Sequence, residues 1–246
     1  MKNYLLKLAD DTLLMGQRLG EWCGKGPYLE EDIALTNTAL DYLGQSNLLF
    51  TYAASLESDG KTPDDLAFLR YEPEYLNAQL VELPNGDYAQ TLLKVYFFSV
   101  YQKMLYTEML SSEDETLAGL AEKSLKEVRY HYSHAMMWLT ILQNGTLESK
   151  QRLAKALDFL WEYTGGLFDE VKGEDLLVGL NLAPDPKVLK LNWDTQIAAD
   201  FKALGLEVPS DTFMQKGSRK GEHTEYFGFI LCELQYMQRA YPGCEW

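Results

Sequence analysis

The sequence predicts an all-α protein, and three observations predict it. Apolar residues recur close to every 3.6 positions along nearly the whole chain. No run of alternating β-branched residues interrupts that period. Glycine, proline and asparagine gather in a few short clusters that leave segments of roughly 20–30 residues between them, the length of bundle helices.

The first helix is expected over about 4–22, ending at the Gly24-Lys25-Gly26-Pro27 break. A second runs over about 29–57, as far as SDGKTPDD. Pro73 and Pro84 make the following stretch, about 64–86, irregular or short-helical, and PNGD turns the chain. The third helix, about 87–110, meets the fourth at SSEDE, where Ser111 or Ser112 is the expected cap. The fourth stops at Asn144-Gly145. A fifth is expected over about 148–168, a sixth over about 187–204, and a last over about 222–240 after KGSRKG. No internal repeat, low-complexity tract or linker divides the chain, so one domain, 1–246, is expected. Short turns between the third, fourth and fifth helices force neighbours to run oppositely. With a long early crossover, that elongated bundle is a ferritin-like pattern, a class that often builds a two-metal site between helices.

Composition narrows the function. Thirty-seven acids against 22 bases give a net charge of -15, which repels a polyanion, so no nucleic-acid partner is expected. Cys23, Cys232 and Cys244 are scattered without a Cys-x-x-Cys pair, which fits a reducing compartment. Lys7, Asp10 and Asp11 interrupt the N-terminus too early for a signal peptide, and no segment approaches the roughly 18 apolar residues of a membrane span. A cytoplasmic protein without a membrane partner is expected.

A di-iron bundle needs a lone Glu on each of two helices and a Glu-x-x-His on each of the other two, because i and i+3 project to one side of a helix. Val128, His131 and Lys220 precede His131, His134 and His223 by three, so the chain has no such motif. On the third helix Ser99 and Gln102 take the i, i+3 positions on an apolar stripe of Tyr88, Leu92, Val95, Tyr106 and Met109. On the second, Asn37, Asp41 and Gln45 form a polar row beside Ile33, Leu40 and Leu43, and Asp41 is the row's one candidate ligand. Asp158 on the fifth is followed at i+3 by Trp161, which cannot coordinate. The set Asp41, Ser99, Gln102, Glu127, Asp158 and Trp161 therefore reads as a metal site whose ligands were replaced.

Two other readings compete. Glu127, His131 and His134, with Asp41, are the residues an iron-binding metalloenzyme would use; the plainer reading pairs Glu127 with His131 on one helix face. Lys216, Arg219 and Lys220 offer an anion or partner contact, such as the phosphates of CoA; the plainer reading balances the acids that open the last helix. No Gly-x-Ser-x-Gly elbow, P-loop or Gly-x-Gly-x-x-Gly is present.

Several stretches, QRLGEWCG (17–24), ALDYLGQ (39–45), VELPNGDYAQT (81–91), LKEVRYH (125–131), KGEHTE (220–225) and the ending LQYMQRAYPGCEW, closely resemble one family. They resemble, in the same order and nearly end to end, the C subunits of bacterial phenylacetyl-CoA epoxidase, the multicomponent oxygenase of phenylacetate degradation. The resemblance implies a ferritin-like structural subunit with no cofactor of its own. Its implied partners are a homologous catalytic subunit, which carries the di-iron centre and binds the CoA thioester, and the other subunits of the complex. Members of the family can carry an acid and a histidine where this chain has Ser99 and Gln102, a departure that moves the chain further from metal binding. Without those partners, the isolated chain is free to self-associate.

Overall fold

The computed structural model describes residues 1–58, 60–210 and 213–244. Among them are ten α-helices and no strand: α1 (Lys2–Gly20), α2 (Leu29–Ser55), α3 (Pro63–Phe68), α4 (Gln79–Glu82), α5 (Tyr88–Met109), α6 (Glu115–Asn144), α7 (Leu147–Leu160), α8 (Glu174–Gly179), α9 (Pro186–Leu204) and α10 (Phe227–Ala240). The all-α expectation holds. The chain forms two compact units, one of residues 1–84 and 217–246, the other of 85–216.

In the first unit α1 lies against α2 along its length. Gly16 allows the close approach, since a Cβ there would sit 3.0 Å from the Leu43 side chain and 3.1 Å from the Ala39 carbonyl. Ser46 then donates across the pair to the Ala9 carbonyl at 3.1 Å. Leu5, Leu8, Leu13, Leu14 and Leu19 of α1 are buried with Leu35, Tyr42, Leu49 and Phe50 of α2. Each such side chain contributes about 1.5–3 kcal/mol by leaving water. Between α2 and α5 the chain is largely irregular, as the prolines require. Its short helix α3 starts with Pro63 and a capping box, Thr62 and Asp65 each bonding the other's backbone amide.

The second unit is built on α5, which packs on α6, α7 and α9. From Thr91 to Gln102 every residue of α5 is buried, more than the single apolar stripe the sequence suggests. Phe97, Trp161, Trp193 and Phe201 pack ring against ring with centroids 5.8–6.2 Å apart, and Trp193 donates its indole N–H to the Phe97 carbonyl at 3.2 Å. The α5–α6 turn differs from expectation: Asp114, not a serine, caps α6, accepting from Leu117 N at 3.0 Å. Ser112 instead donates to the Leu182 carbonyl at 2.8 Å.

Further boundaries shift for local reasons. The fifth predicted helix is α only to Leu160, then tightens into a 3-10 helix, Trp161–Phe168, at Gly165-Gly166. The last helix opens at Phe227 rather than near 222, because the preceding residues are held by the side chains described below. Helix α8 has too few turns to show a period.

Candidate functional site

Helices α5, α6 and α7 carry most of the positions at which the sequence looks for metal ligands. Ser99 and Gln102 are both buried on α5. Ser99 Oγ donates back to the Tyr96 carbonyl at 3.0 Å, and Gln102 Nε2 to Tyr106 Oη at 3.3 Å. Trp161 packs its ring on Phe97 and Trp193. Asp158 is exposed. Glu127 is half-buried on α6, His131 is buried, and His134 stacks on Tyr130 with centroids 5.8 Å apart. Glu127, His131 and His134 do not form a ligand set: among the described residues, no three His, Cys, Asp or Glu side chains are grouped to hold a metal ion.

Asp200 of α9 is the polar focus of this unit. Its Oδ2 accepts from the Tyr96 and Tyr132 hydroxyls, each at 2.9 Å, and its Oδ1 from Gln196 Nε2 at 2.9 Å. Burial first, and then the charge and hydrogen bonding of Asp200, push Tyr132 up to about 12 and move Tyr96 in the same direction.

The first unit holds a second polar centre, which the sequence reading missed. Asp10 and Asp11 are neighbours on α1, both buried, and each meets an arginine. Arg70 grips both Asp10 oxygens, with Nη1 3.0 Å from Oδ2, and Leu76 N donates to Oδ2 at 2.8 Å. Burial alone would lower the Arg70 guanidinium, but the facing carboxylate prevails and its pKa lies above the ordinary value. Arg219 Nη1 lies 2.6 Å from Asp11 Oδ1, which also accepts from Ala78 N at 2.7 Å.

Beside these pairs, Glu82 of α4 is fully enclosed and holds the chain that leads into α10. Its carboxylate accepts from Asn77 Nδ2 at 2.8 Å and from Thr224 N and Oγ1, both at 2.7 Å. His223 Nδ1 is 2.6 Å from Glu82 Oε1, and its ring stacks on Phe227, centroids 4.0 Å apart. The carboxylate is already the acceptor of three bonds, so Nδ1 donates the fourth. The predicted anion contact is corrected here. Lys216 and Lys220 are exposed, but Arg219 between them is turned inward in the left-handed region, φ 69°, and its charge is spent on Asp11.

On α2 a second correction concerns direction. Gln45 is buried and Asp41 half-buried, but Ile33 and Leu40, read as neighbours of an inward row, face outward, 51% and 60% exposed.

The family model described as phenylacetic acid catabolic protein matches residues 1–246. The chain belongs to that family. Among curated proteins it is 41% identical over 243 residues to the C subunit of 1,2-phenylacetyl-CoA epoxidase from Escherichia coli (strain K12), a match that covers 99% of this chain and 98% of the relative. The family assignment therefore takes in both units and every position discussed above. No described helix of this family member is long and apolar enough to cross a membrane.

The ferritin-like pattern raises the question of a di-iron centre, and the side chains at 99, 102 and 161 bear on it. Hard iron needs carboxylate oxygens in numbers, with an imidazole for each ion. A serine bonded to its own helix, an amide bonded to a phenol and an indole packed on aromatic rings do not fit that requirement.

Proposed function

We propose that the chain is the non-catalytic structural subunit of a phenylacetyl-CoA epoxidase acting in phenylacetate breakdown. On this reading it pairs with, and stabilises, a homologous subunit that carries the di-iron centre and binds the CoA thioester. The observation that carries the proposal is the substitution of uncharged side chains at 99, 102 and 161, each committed to hydrogen bonding or packing. An empty ring of carboxylates would crowd like charges in the interior; neutral replacements relieve that cost and leave the helix surfaces intact for pairing. The extensive match to a curated subunit of 1,2-phenylacetyl-CoA epoxidase supports that substrate class and membership of such a complex. The competing metalloenzyme reading through Asp41, Glu127, His131 and His134 lacks a converging donor set. A CoA-binding role for Lys216, Arg219 and Lys220 loses its central cation to Asp11.

Co-expression with the catalytic subunit, followed by pull-down and separate activity assays, tests the proposal. The two chains should co-purify, and the catalytic subunit expressed alone should be less soluble and less active. A catalytic subunit equally soluble and active on its own would end the structural role.

A further inference from the structure

Helix α2 is apolar on two opposite faces. Leu35, Tyr42, Leu49, Phe50 and Ala53 are buried within the first unit. On the far side Leu29, Ile33 and Leu40 are 73%, 51% and 60% exposed, with Leu43 at the edge of the same strip. At 100° per residue, Leu29, Ile33 and Leu40 fall within about 40° of one another around the axis. A helix that is apolar all round is an interior helix, yet this one presents an outer face to water.

Gly44 lies in the same strip, in mid-helix. A Cβ placed on it would meet nothing within 4 Å, so no described neighbour requires a residue that weakens a helix interior. Gly16 shows what such a glycine is for, since there it admits the neighbouring helix. Gly44 offers the same close approach on a side where, among the described residues, no atom lies within 4 Å of its Cβ position.

Charge selects the occupant. Leu29–Ser55 contains Glu30, Glu31, Asp32 and Asp41 and no lysine or arginine. A second copy of the chain would set acids against acids, whereas a helix with basic residues beside an apolar stripe would be drawn in. Resting on the pairing reading above, we propose that the outer face of α2 docks a helix of the catalytic subunit, with an apolar stripe flanked by Lys or Arg, its backbone crossing closest at Gly44. The strip from Leu29 to Gly44 is about 22 Å long. It forms the centre of an interface whose remainder must come from neighbouring surface, since a stable contact buries about 800 Å² per partner.

The test uses full-length protein and the purified catalytic subunit, with Kd measured for wild type, Leu40→Lys, Gly44→Leu and, as a control on α10, Tyr236→Lys, which replaces an exposed side chain. Leu40→Lys and Gly44→Leu should each weaken binding by about tenfold or more, and Tyr236→Lys should bind as wild type. Gly44→Leu should also raise the melting temperature of the isolated chain, because leucine is the better helix former, so weaker binding would not reflect unfolding. Wild-type affinity in both α2 variants would overturn the proposal, as would equal loss in the α10 control. So would a homodimer, seen by ultracentrifugation, that Leu40→Lys dissolves while binding to the catalytic subunit persists. If wild type itself fails to bind, the pairing reading falls first and takes this one with it.

Discussion

Glu82 and His223 stand 141 positions apart in the sequence and 2.6 Å apart in the fold, both closed off from water. The contact ties the chain entering α10 to α4. Deleting the imidazole takes one of four donors from a buried carboxylate, and hydrogen bonds to charged groups are worth about 1.5–3 kcal/mol. His223→Ala should therefore lower stability by about 2 kcal/mol in urea unfolding. A loss well under half that size would mean that Asn77 and Thr224 already satisfy Glu82.

The neighbouring pair, Asp11 with Arg219, is more demanding. Arg219→Met leaves a buried carboxylate without its cation, a change that costs about 3–5 kcal/mol. Adding Asp11→Leu removes the stranded charge and should recover most of the loss. The double-mutant cycle measures this directly, and single substitutions that simply add would contradict the assigned pairing.

Buried tyrosines give the alkaline limb of stability a definite sign. Tyr75 and Tyr132 are pushed up to about 12, by burial foremost in each, and Tyr96 is moved in the same direction. A raised folded-state pKa means that the protonated phenol stabilises the fold fully below the unfolded value of about 10, and that this stability is lost as pH rises through about 12. Tyrosinate absorbance should therefore show a late-titrating group that ionises together with loss of the helical circular dichroism signal. Asp200→Asn should shift part of that group to lower pH. A single transition near pH 10 with the fold intact would contradict the account.

Reinstating a ligand pair tests the interior of α5. Ser99→Glu with Gln102→His recreates the i, i+3 motif at two positions 0% and 1% exposed. A buried carboxylate without a partner is costly, so the double variant should lose about 3 kcal/mol or more, read by thermal melting. Unchanged stability accompanied by iron uptake would mean that the remaining donors of a metal site are in place.

The long helices were legible in the sequence because their apolar period spans many turns and their ends carry Gly, Pro or Asn. Short elements were not: α8 is too brief to show a period, and Gly165-Gly166 let the end of the fifth predicted helix tighten into a 3-10 form. The absence of Glu-x-x-His was readable because it depends on residues three apart. The Asp11–Arg219 and Glu82–His223 pairs were not, since they join residues 208 and 141 positions apart. Lys216-Gly217-Ser218-Arg219-Lys220 reads as an anion or partner contact, or as a balance for the acids before the last helix; only backbone geometry, with Arg219 at φ 69°, turns its middle charge inward. One signal was available in retrospect: Lys7, Asp10 and Asp11 interrupt an otherwise apolar first helix, and interior acids call for distant cations. The α2 strip was misassigned because a helix apolar on both faces has no period to say which side is in.

Metal content of the separated chains tests the central claim most directly. This chain and its catalytic partner are co-expressed in iron-replete medium, resolved under conditions that retain bound metal, and assayed for iron individually. The account predicts iron with the partner and well under one iron for each copy of this chain. About two irons held by this chain, the complement of a carboxylate-bridged bundle site, and lost on Glu127→Ala, would contradict it.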